Sequence, residues 1–222
     1  MKFVHIDSDQ AVVDYLNESL RKQLSAGKSA LWLLSGGSAI SISVKVAKLL
    51  NNLSDEELAR LNISLIDERY GPVGHPDSNW QQLLDAGFDL PGARLHPVLN
   101  FQNQETTLKE WELYLRQQLK HSYALGFLGI GPDGHTSGIL PNSPAVTATG
   151  LVTGYEGGGY QRITTTPSAI KMLNEAVVYA VGEPKWPVLQ RLTDNIEPAE
   201  QPAQILKQVP KLTIFTDYKQ EA

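Results

Sequence analysis

The chain has 222 residues, of which 41% are hydrophobic, enough to bury one substantial core or two small ones. Nineteen lysines and arginines against 24 aspartates and glutamates give a net charge of -5, which excludes an overall positive field for nucleic acid or an anionic membrane. The sequence contains no cysteine, and this excludes disulfide bonds, thiolate metal ligands and a cysteine nucleophile.

The amino-terminal stretch "MKFVHIDSDQ" lacks the apolar core of a signal peptide. No apolar run approaches the ~20 residues that span a bilayer. We therefore expect a cytoplasmic protein with neither a membrane nor a nucleic-acid partner, folded as a single domain over residues 1–222. The sequence leaves the oligomeric state open.

Short apolar runs alternate with segments of helical spacing along the chain. Strands are predicted at "KFVHI" (2–6), "ALWLLS" (30–35), "ISLI" (63–66), "LHPVL" (95–99), "YALGFLGI" (123–130), "AVVYAV" (176–181) and "KLTIF" (211–215). Two further segments, "LVTGY" and "RITTT", predict extra antiparallel strands near residues 148–166. This alternation is typical of βαβ units over a largely parallel sheet.

Two apolar stripes and one capping pattern predict helices between these strands. The stripes have the spacing of one helix face. They are Val13, Leu16, Leu20 and Leu24, and then Leu108, Trp111, Leu115 and Leu119. Ser54 and Glu57 form the pattern of a capping box, which predicts a further short helix. In an open α/β sheet ligands bind beyond the carboxyl ends of strands, so the residues after each strand are the candidates for a site.

The first such place is "SGGSAI", a glycine pair between a buried strand and a helix. Gly36 and Gly37 would let backbone amides approach an anion closely, and the helix that follows adds free donors and a partial positive charge. This favours phosphate binding. The alternative is a tight turn with Ser38 as the helix N-cap, and the segment alone does not decide between them.

The second place is "IDERYGPVGHPDSNW", where charged residues follow an apolar strand. Asp67 and Arg69 cannot belong to an apolar core, so they are either site residues or solvated turn residues. In the second case Asp67 would pair with Arg69 or cap a turn. Asp77 or Ser78 is predicted to start the next helix.

The third place is "LGIGPDGHTSGILP", whose glycines spell G-x-G-x-x-G after a strand. A dinucleotide-binding turn needs free backbone donors and a long helix after the glycines. Pro132 removes one donor, Asp133 places a carboxylate where the pyrophosphate would lie, and Pro141 and Pro144 stop a long helix. The sequence therefore argues against a dinucleotide site.

The remaining interpretation is a strand that delivers Asp133 and His135 to the mouth of the sheet. A histidine titrates near ~6.5 and exchanges protons at neutral pH, while a nearby carboxylate fixes its tautomer. The alternative is a histidine that only caps a short helix beginning near Thr136. A zinc site is disfavoured because no close pair of ligands accompanies the histidine.

Together these segments resemble the 6-phosphogluconolactonase family, in the wider group that includes glucosamine-6-phosphate isomerase. "SGGSAI" is similar to its phosphate loop, "IDERYGPVGHPDSNW" to its D-E-R and D-x-S-N segment, and "LGIGPDGHTSGILP" to its G-x-G-x-D-G-H-T signature. "YQRITTT" and "VGEPKWPVL" resemble later segments that supply an arginine and a lysine. The resemblance spans roughly residues 30–190, and only the G-x-G-x-D-G-H-T signature is highly specific.

The resemblance implies a Rossmann-like αβα sandwich with a mostly parallel central sheet. It implies a phosphorylated sugar lactone as substrate, with neither a metal nor an organic cofactor. Its phosphate-binding residues would be Gly36, Gly37, Ser38, Arg162 and Lys185. Its catalytic residues would be His135, Asp133, Asp67 and Arg69.

Three positions bear on the exact activity. Ala39 and Ile40 follow the glycine pair where many members carry Thr-Pro, and "GGGYQR" replaces a proline-rich approach to the arginine. The isomerases carry a glutamate five residues after the histidine, where this chain has Leu140. The resemblance thus favours hydrolysis of 6-phospho-D-glucono-1,5-lactone in the oxidative branch of the pentose phosphate pathway. The alternatives are an aldose-ketose isomerase and a non-catalytic sugar-phosphate-binding protein.

Overall fold

A computed structural model describes residues 1–219 and contains a central parallel sheet of seven strands. Its strands are β1 (Lys2–His5), β2 (Ala30–Leu34), β3 (Leu61–Leu65), β5 (Arg94–Leu95), β6 (Tyr123–Gly129), β9 (Glu175–Tyr179) and β10 (Lys211–Thr216). They lie in the order β1-β10-β9-β6-β2-β3-β5, and every neighbouring pair is parallel. The strands that were predicted from the sequence are the strands of this sheet.

A second, antiparallel sheet of three strands lies apart from the first. It has the order β4 (Asp67–Arg69), β8 (Tyr160–Thr165) and β7 (Val152–Gly157). The two antiparallel strands expected near residues 148–166 are thus confirmed. Strand β4 was not predicted because its three residues are all charged, and it forms because β8 supplies a pairing partner.

Seven α-helices connect the strands in the described part of the chain. They are α1 (Gln10–Ser25), α2 (Ala39–Leu50), α3 (Asp55–Leu58), α4 (Asn79–Asp85), α5 (Gln104–His121), α6 (Pro167–Ile170) and α7 (Trp186–Arg191). Short 3₁₀ turns add Pro144–Thr147, Glu183–Lys185 and Pro202–Gln208. The capping box is present: the Ser54 hydroxyl accepts from the Glu57 amide, and the Glu57 carboxylate accepts from the Ser54 amide.

The hydrophobic core surrounds the central strands. Every residue of β2 and β3 is buried, and since alternate side chains of a strand point to opposite faces, both faces of the sheet are covered. All four apolar residues of the predicted α1 stripe are buried in this core. This arrangement confirms the predicted Rossmann-like αβα sandwich. None of the helices in residues 1–219 has the length and apolar character needed to cross a membrane.

Two local expectations differ from the structure. The strand expected over residues 95–99 is reduced to the two-residue β5, because Pro97 lacks the amide hydrogen that a parallel strand donates. No helix begins near Thr136: residues 131–143 form turns and isolated bridges, in which Thr136 pairs with Ile130 and Ile139. His135 is therefore not a helix cap, and the crossover helix of a dinucleotide fold does not follow the glycines.

Candidate active site

One cleft lies at the carboxyl ends of β6, β2 and β3, which are neighbours in the central sheet. Its volume is about 350 Å³. The structure brings eight of the predicted site residues together in its lining: Gly36, Gly37, Ser38, Asp67, Arg69, His135, Arg162 and Lys185. The ninth, Asp133, is outside this lining but is in contact with His135. Segments that are more than a hundred residues apart in the chain thus meet at one edge of the sheet.

The histidine of the cleft is held by its neighbouring aspartate. The Asp133 carboxylate lies 2.6 Å from His135 Nδ1 and also accepts a hydrogen bond of 3.1 Å from the His135 amide. The ring packs over Gly131, where an added Cβ would lie 2.1 Å from His135 Cε1. Within residues 1–219 the other ring nitrogen, Nε2, has no hydrogen-bond partner, so it is free to exchange a proton with a molecule in the cleft.

The charge state of Asp133 suits this arrangement. Partial burial works to raise its pKa, but hydrogen bonds from the His135 amide and ring, and the charge of that ring, lower the pKa below its ordinary value. Asp133 is therefore ionised at neutral pH. An ionised Asp133 accepts a hydrogen bond from Nδ1–H, which leaves the lone pair of the neutral imidazole on Nε2.

The two acidic residues of the D-E-R segment point in opposite directions, because they are successive residues of β4. Asp67 lines the cleft and is 6% exposed. Burial raises its pKa, although the nearby charges of Arg69, Arg162 and His135 partly oppose the rise. No ion pair within 4.0 Å joins Asp67 to Arg69 among the described residues, so the alternative of a simple surface pair does not hold.

Glu68 points away from the cleft and binds the start of α4, which contributes Asn79 to the lining of the cleft. Its buried carboxylate accepts hydrogen bonds from the Ser78 hydroxyl at 2.8 Å and from the backbone amides of Asn79 and Trp80 at 2.7 and 3.1 Å. These amides are free donors at the start of α4, so Glu68 supplies the negative charge that a helix N-terminus favours. Ser78 is the N-cap of α4, as predicted.

Two arginines face each other beside Asp67. Arg69 on β4 is paired directly with Arg162 on β8. Arg69 Nη1 donates to the Asp77 carbonyl at 3.1 Å, and Arg162 Nε donates to the Gly157 carbonyl at 2.8 Å. Neither guanidinium forms an ion pair with any carboxylate in residues 1–219. Both charges therefore remain available to an anion in the cleft.

The glycine loop and a lysine complete the cationic side. A Cβ at Gly36 would lie 2.0 Å from Asn79 Oδ1, so only glycine fits there, and Gly37 has a φ of 64°. Ser38 lies at the N-cap position of α2, but its hydroxyl accepts no helix amide. This differs from the alternative in which Ser38 caps the helix. It leaves the Ser38 hydroxyl free, while the Ile40 amide in the first turn donates to the Gly37 carbonyl. Burial lowers the pKa of Lys185, against the nearby charge of Asp217.

The backbone amides near Gly134 are already hydrogen-bonded within their own turn. The Gly134 amide donates to the Gly131 carbonyl at 2.9 Å, and the His135 amide is bonded to Asp133. These bonds close the turn that carries the histidine. Arg69, by contrast, has guanidinium hydrogens without a partner in residues 1–219, since only its Nη1 makes a hydrogen bond.

Sequence reasoning missed three polar residues of the lining, Ser35, Asn79 and Ser137. The Asn79 Nδ2 donates to the Asp67 carbonyl at 2.9 Å and fixes the start of β4. Ser137 adopts a φ of 53°, and its hydroxyl is buried without a partner. Only the position of Ser137 two residues after His135 could have indicated its place, since its strained backbone leaves no mark in the sequence.

No group of three or more histidine, aspartate or glutamate side chains within residues 1–219 is arranged to hold a metal ion. The titratable side chains that line the cleft are instead three cations, one buried carboxylate and one histidine. Such a set can bind an anionic group at one end and transfer a proton at the other.

Comparison with known proteins shows the family of this chain. Residues 7–214 match the family described as glucosamine-6-phosphate isomerases/6-phosphogluconolactonase. The chain belongs to this family. A 6-phosphogluconolactonase of Synechocystis sp. is 29% identical over 163 residues, which are 68% of this chain and 68% of the relative.

Solved structures of the family share the fold of this chain. A 6-phosphogluconolactonase from Shewanella baltica has a TM-score of 0.80 at 23% identity, with 97% of both chains covered. A monomeric glucosamine-6-phosphate deaminase has the same TM-score of 0.80 at 16% identity, again with 97% of both chains covered. The fold is therefore common to both activities of the family and does not distinguish them.

Proposed function

We propose that this protein hydrolyses 6-phospho-D-glucono-1,5-lactone to 6-phosphogluconate, as a carboxylic ester hydrolase of the oxidative pentose phosphate pathway. The observation that carries the proposal is the cleft itself, which His135 with a free Nε2 lines together with Asp67, Arg69 and the glycine loop. The Synechocystis relative, named for this activity, supports the same reaction.

The phosphate end would be held by the cationic side of the cleft. Gly36, Gly37 and Ser38 offer amides and a hydroxyl at the start of α2, while Arg162 and Lys185 supply two charges. Charge-assisted hydrogen bonds contribute about 1.5 to 3 kcal/mol each, which is sufficient for a net-acidic chain to hold a phosphate dianion locally. A bound dianion would also favour the charged form of the partly buried Lys185.

The reaction needs one base that later acts as an acid. His135 Nε2 takes a proton from water as the water oxygen forms a bond to the lactone C1, and the carbonyl becomes an oxyanion. Arg69 stabilises that oxyanion, a contribution typically near ~3 kcal/mol. The C1 to ring-oxygen bond then breaks, and His135 returns the proton to the departing ring oxygen. Asp133 keeps the imidazole in the required tautomer throughout.

The isomerase alternative is disfavoured at Leu140. A glutamate at this position would supply the acid for ring opening, whereas Leu140 packs beside Gly157 and is absent from the residues that line the cleft. A glutamate in place of Leu140 would therefore have its carboxylate against the β7–β8 turn.

A purely regulatory role is disfavoured by the intact Asp133–His135 pair. We further propose that residues 1–222 act as one domain, which the continuous hydrophobic core supports.

The test is a comparison of substrates with the purified protein. Acid release from freshly prepared 6-phosphogluconolactone should exceed the spontaneous rate, and glucosamine 6-phosphate should give no product. Unphosphorylated glucono-1,5-lactone is the matched control, and we expect its kcat/KM to be lower by at least about 10²-fold because the phosphate contacts are lost. Turnover of glucosamine 6-phosphate alone would replace this proposal with the isomerase, and binding without turnover of either phosphosugar would favour a regulator.

A further inference from the structure

Tyr160 contacts the two arginines of the cleft. It begins β8 two residues before Arg162, so the two side chains lie on the same face of the strand. The Tyr160 ring centroid is 5.0 Å from Arg69 Cζ and 5.6 Å from Arg162 Cζ. Both distances are within the ~6 Å over which an aromatic face attracts a cation. One ring therefore contacts both guanidiniums.

The contact with the ring offsets repulsion between the two guanidiniums. Like charges that face each other across an antiparallel pair repel, and Arg69 is directly opposite Arg162. In the described part of the chain each guanidinium is held by one hydrogen bond to a backbone carbonyl and by no carboxylate. A carboxylate between them would hold both but would neutralise them. An aromatic face attracts both cations and leaves their charge available to a substrate.

We propose that Tyr160 is a positioning residue that holds Arg69 and Arg162 in the orientation that binds substrate. The inference rests on the proposed function, since it takes Arg162 as a phosphate ligand and Arg69 as the donor to the oxyanion. Tyr160 is outside the set of residues that line the cleft, so it acts through the arginines. Its hydroxyl makes no hydrogen bond to residues 1–219, and this assigns the role to the face of the ring.

If Tyr160 served only to stabilise the fold, it would do so through burial of its side chain. Tyr160 is 36% exposed and begins β8, the central strand of the small sheet, directly after the Gly157–Gly159 turn, so the core gains little from its burial. Loss of folded protein lowers the apparent kcat and leaves KM unchanged. Loss of arginine positioning raises KM, because the phosphate contact is made in both the ground state and the transition state.

Three variants separate these roles in steady-state hydrolysis of 6-phosphogluconolactone. Tyr160→Leu keeps an apolar side chain without a π face, and we expect KM to rise about 5- to 20-fold as Arg162 loses its position, with kcat lowered as well because Arg69 is the donor to the oxyanion. Tyr160→Phe keeps the face, and its KM should stay within about twofold of the wild type. Phe101→Ala removes an aromatic side chain that is 88% exposed and away from the cleft, and it should change neither constant.

A binding measurement keeps this inference separate from the proposed function. The shift in melting temperature caused by 6-phosphogluconate should be smaller for Tyr160→Leu than for the wild type and for Tyr160→Phe. This result supports Tyr160 as a positioning residue even if the wild type fails to hydrolyse the lactone. An active wild type together with an unchanged KM for Tyr160→Leu would overturn the inference alone. A KM for Tyr160→Phe raised as far as that for Tyr160→Leu would also overturn it.

Discussion

Among the single residues of the cleft, Asp67 is the clearest case of a side chain whose charged form destabilises the folded protein. It is buried, its charge is opposed by desolvation, and no ion pair to Arg69 compensates it directly. A carboxyl group whose pKa is strongly perturbed inside a cleft is typical of a functional residue, because a site that binds substrate often destabilises the free protein. Asp67 thus links the chemistry of the cleft to a measurable cost in stability.

The stability of the free protein should increase when Asp67 is made neutral. The folded-state pKa of Asp67 is raised above its ordinary 3.8, so the folded state binds more protons than the unfolded state just above that pH. Stability therefore falls as the pH rises through the raised pKa, and the full cost is present at higher pH. We expect Asp67→Asn to raise the free energy of unfolding at pH 7 by about 0.5–2 kcal/mol while activity falls.

Thermal unfolding at pH 7 and at pH 4 measures this effect. The gain from Asp67→Asn should be smaller at pH 4, because a raised pKa means that a larger fraction of the wild-type carboxyl is protonated there than at pH 7. Asp89→Asn, at an exposed carboxylate, serves as the control and should show no such dependence on pH. A variant that is less stable than the wild type at pH 7 would mean that Asp67 stabilises the fold.

At the scale of elements, the sequence predicted the parallel strands and the long helices better than the wall of the cleft. Apolar runs and stripes indicate buried strands and helices directly, and the strand ends then indicate Asp67, Asp133 and His135. Strand β4 could not be predicted, since its pairing partner β8 begins more than ninety residues later. Asp67 lines the cleft and Glu68 binds the start of α4, because successive side chains of β4 point to opposite faces. This difference could not be predicted without the strand.

The start of α4 depends on Glu68. Its carboxylate accepts from the Ser78 hydroxyl and from amides of the first turn, so Glu68→Gln places an amide group among hydrogen-bond donors. We expect the free energy of unfolding to fall by about 1–3 kcal/mol, and the melting temperature by about 2–4 °C for each kcal/mol.

Thermal unfolding also tests this prediction. Glu18→Gln replaces an exposed glutamate of α1 and should leave the melting temperature within about 1 °C of the wild type. An unchanged melting temperature for Glu68→Gln would show that α4 starts without help from this carboxylate.

In the molecule as a whole, the parallel sheet brings segments that are far apart in the sequence together around one cleft. Adjacent strands β6, β2 and β3 all end at the same edge, which explains why residues chosen only for their position after a strand lie together. The antiparallel sheet adds Arg162 from β8 opposite Arg69. Which carboxylate orients His135 could not be predicted, because both Asp67 and Asp133 follow strands that reach this edge; the 2.6 Å contact identifies Asp133.

The central claim is that His135 transfers the proton during lactone hydrolysis. The most direct measurement compares wild type and His135→Ala in the hydrolysis of 6-phosphogluconolactone, with spontaneous hydrolysis subtracted and His121→Ala as the exposed-histidine control. We predict that kcat falls by roughly 10²- to 10⁴-fold in His135→Ala while KM stays within a few-fold, because binding of the phosphate is untouched. A folded His135→Ala variant with a kcat near that of the wild type would contradict this account.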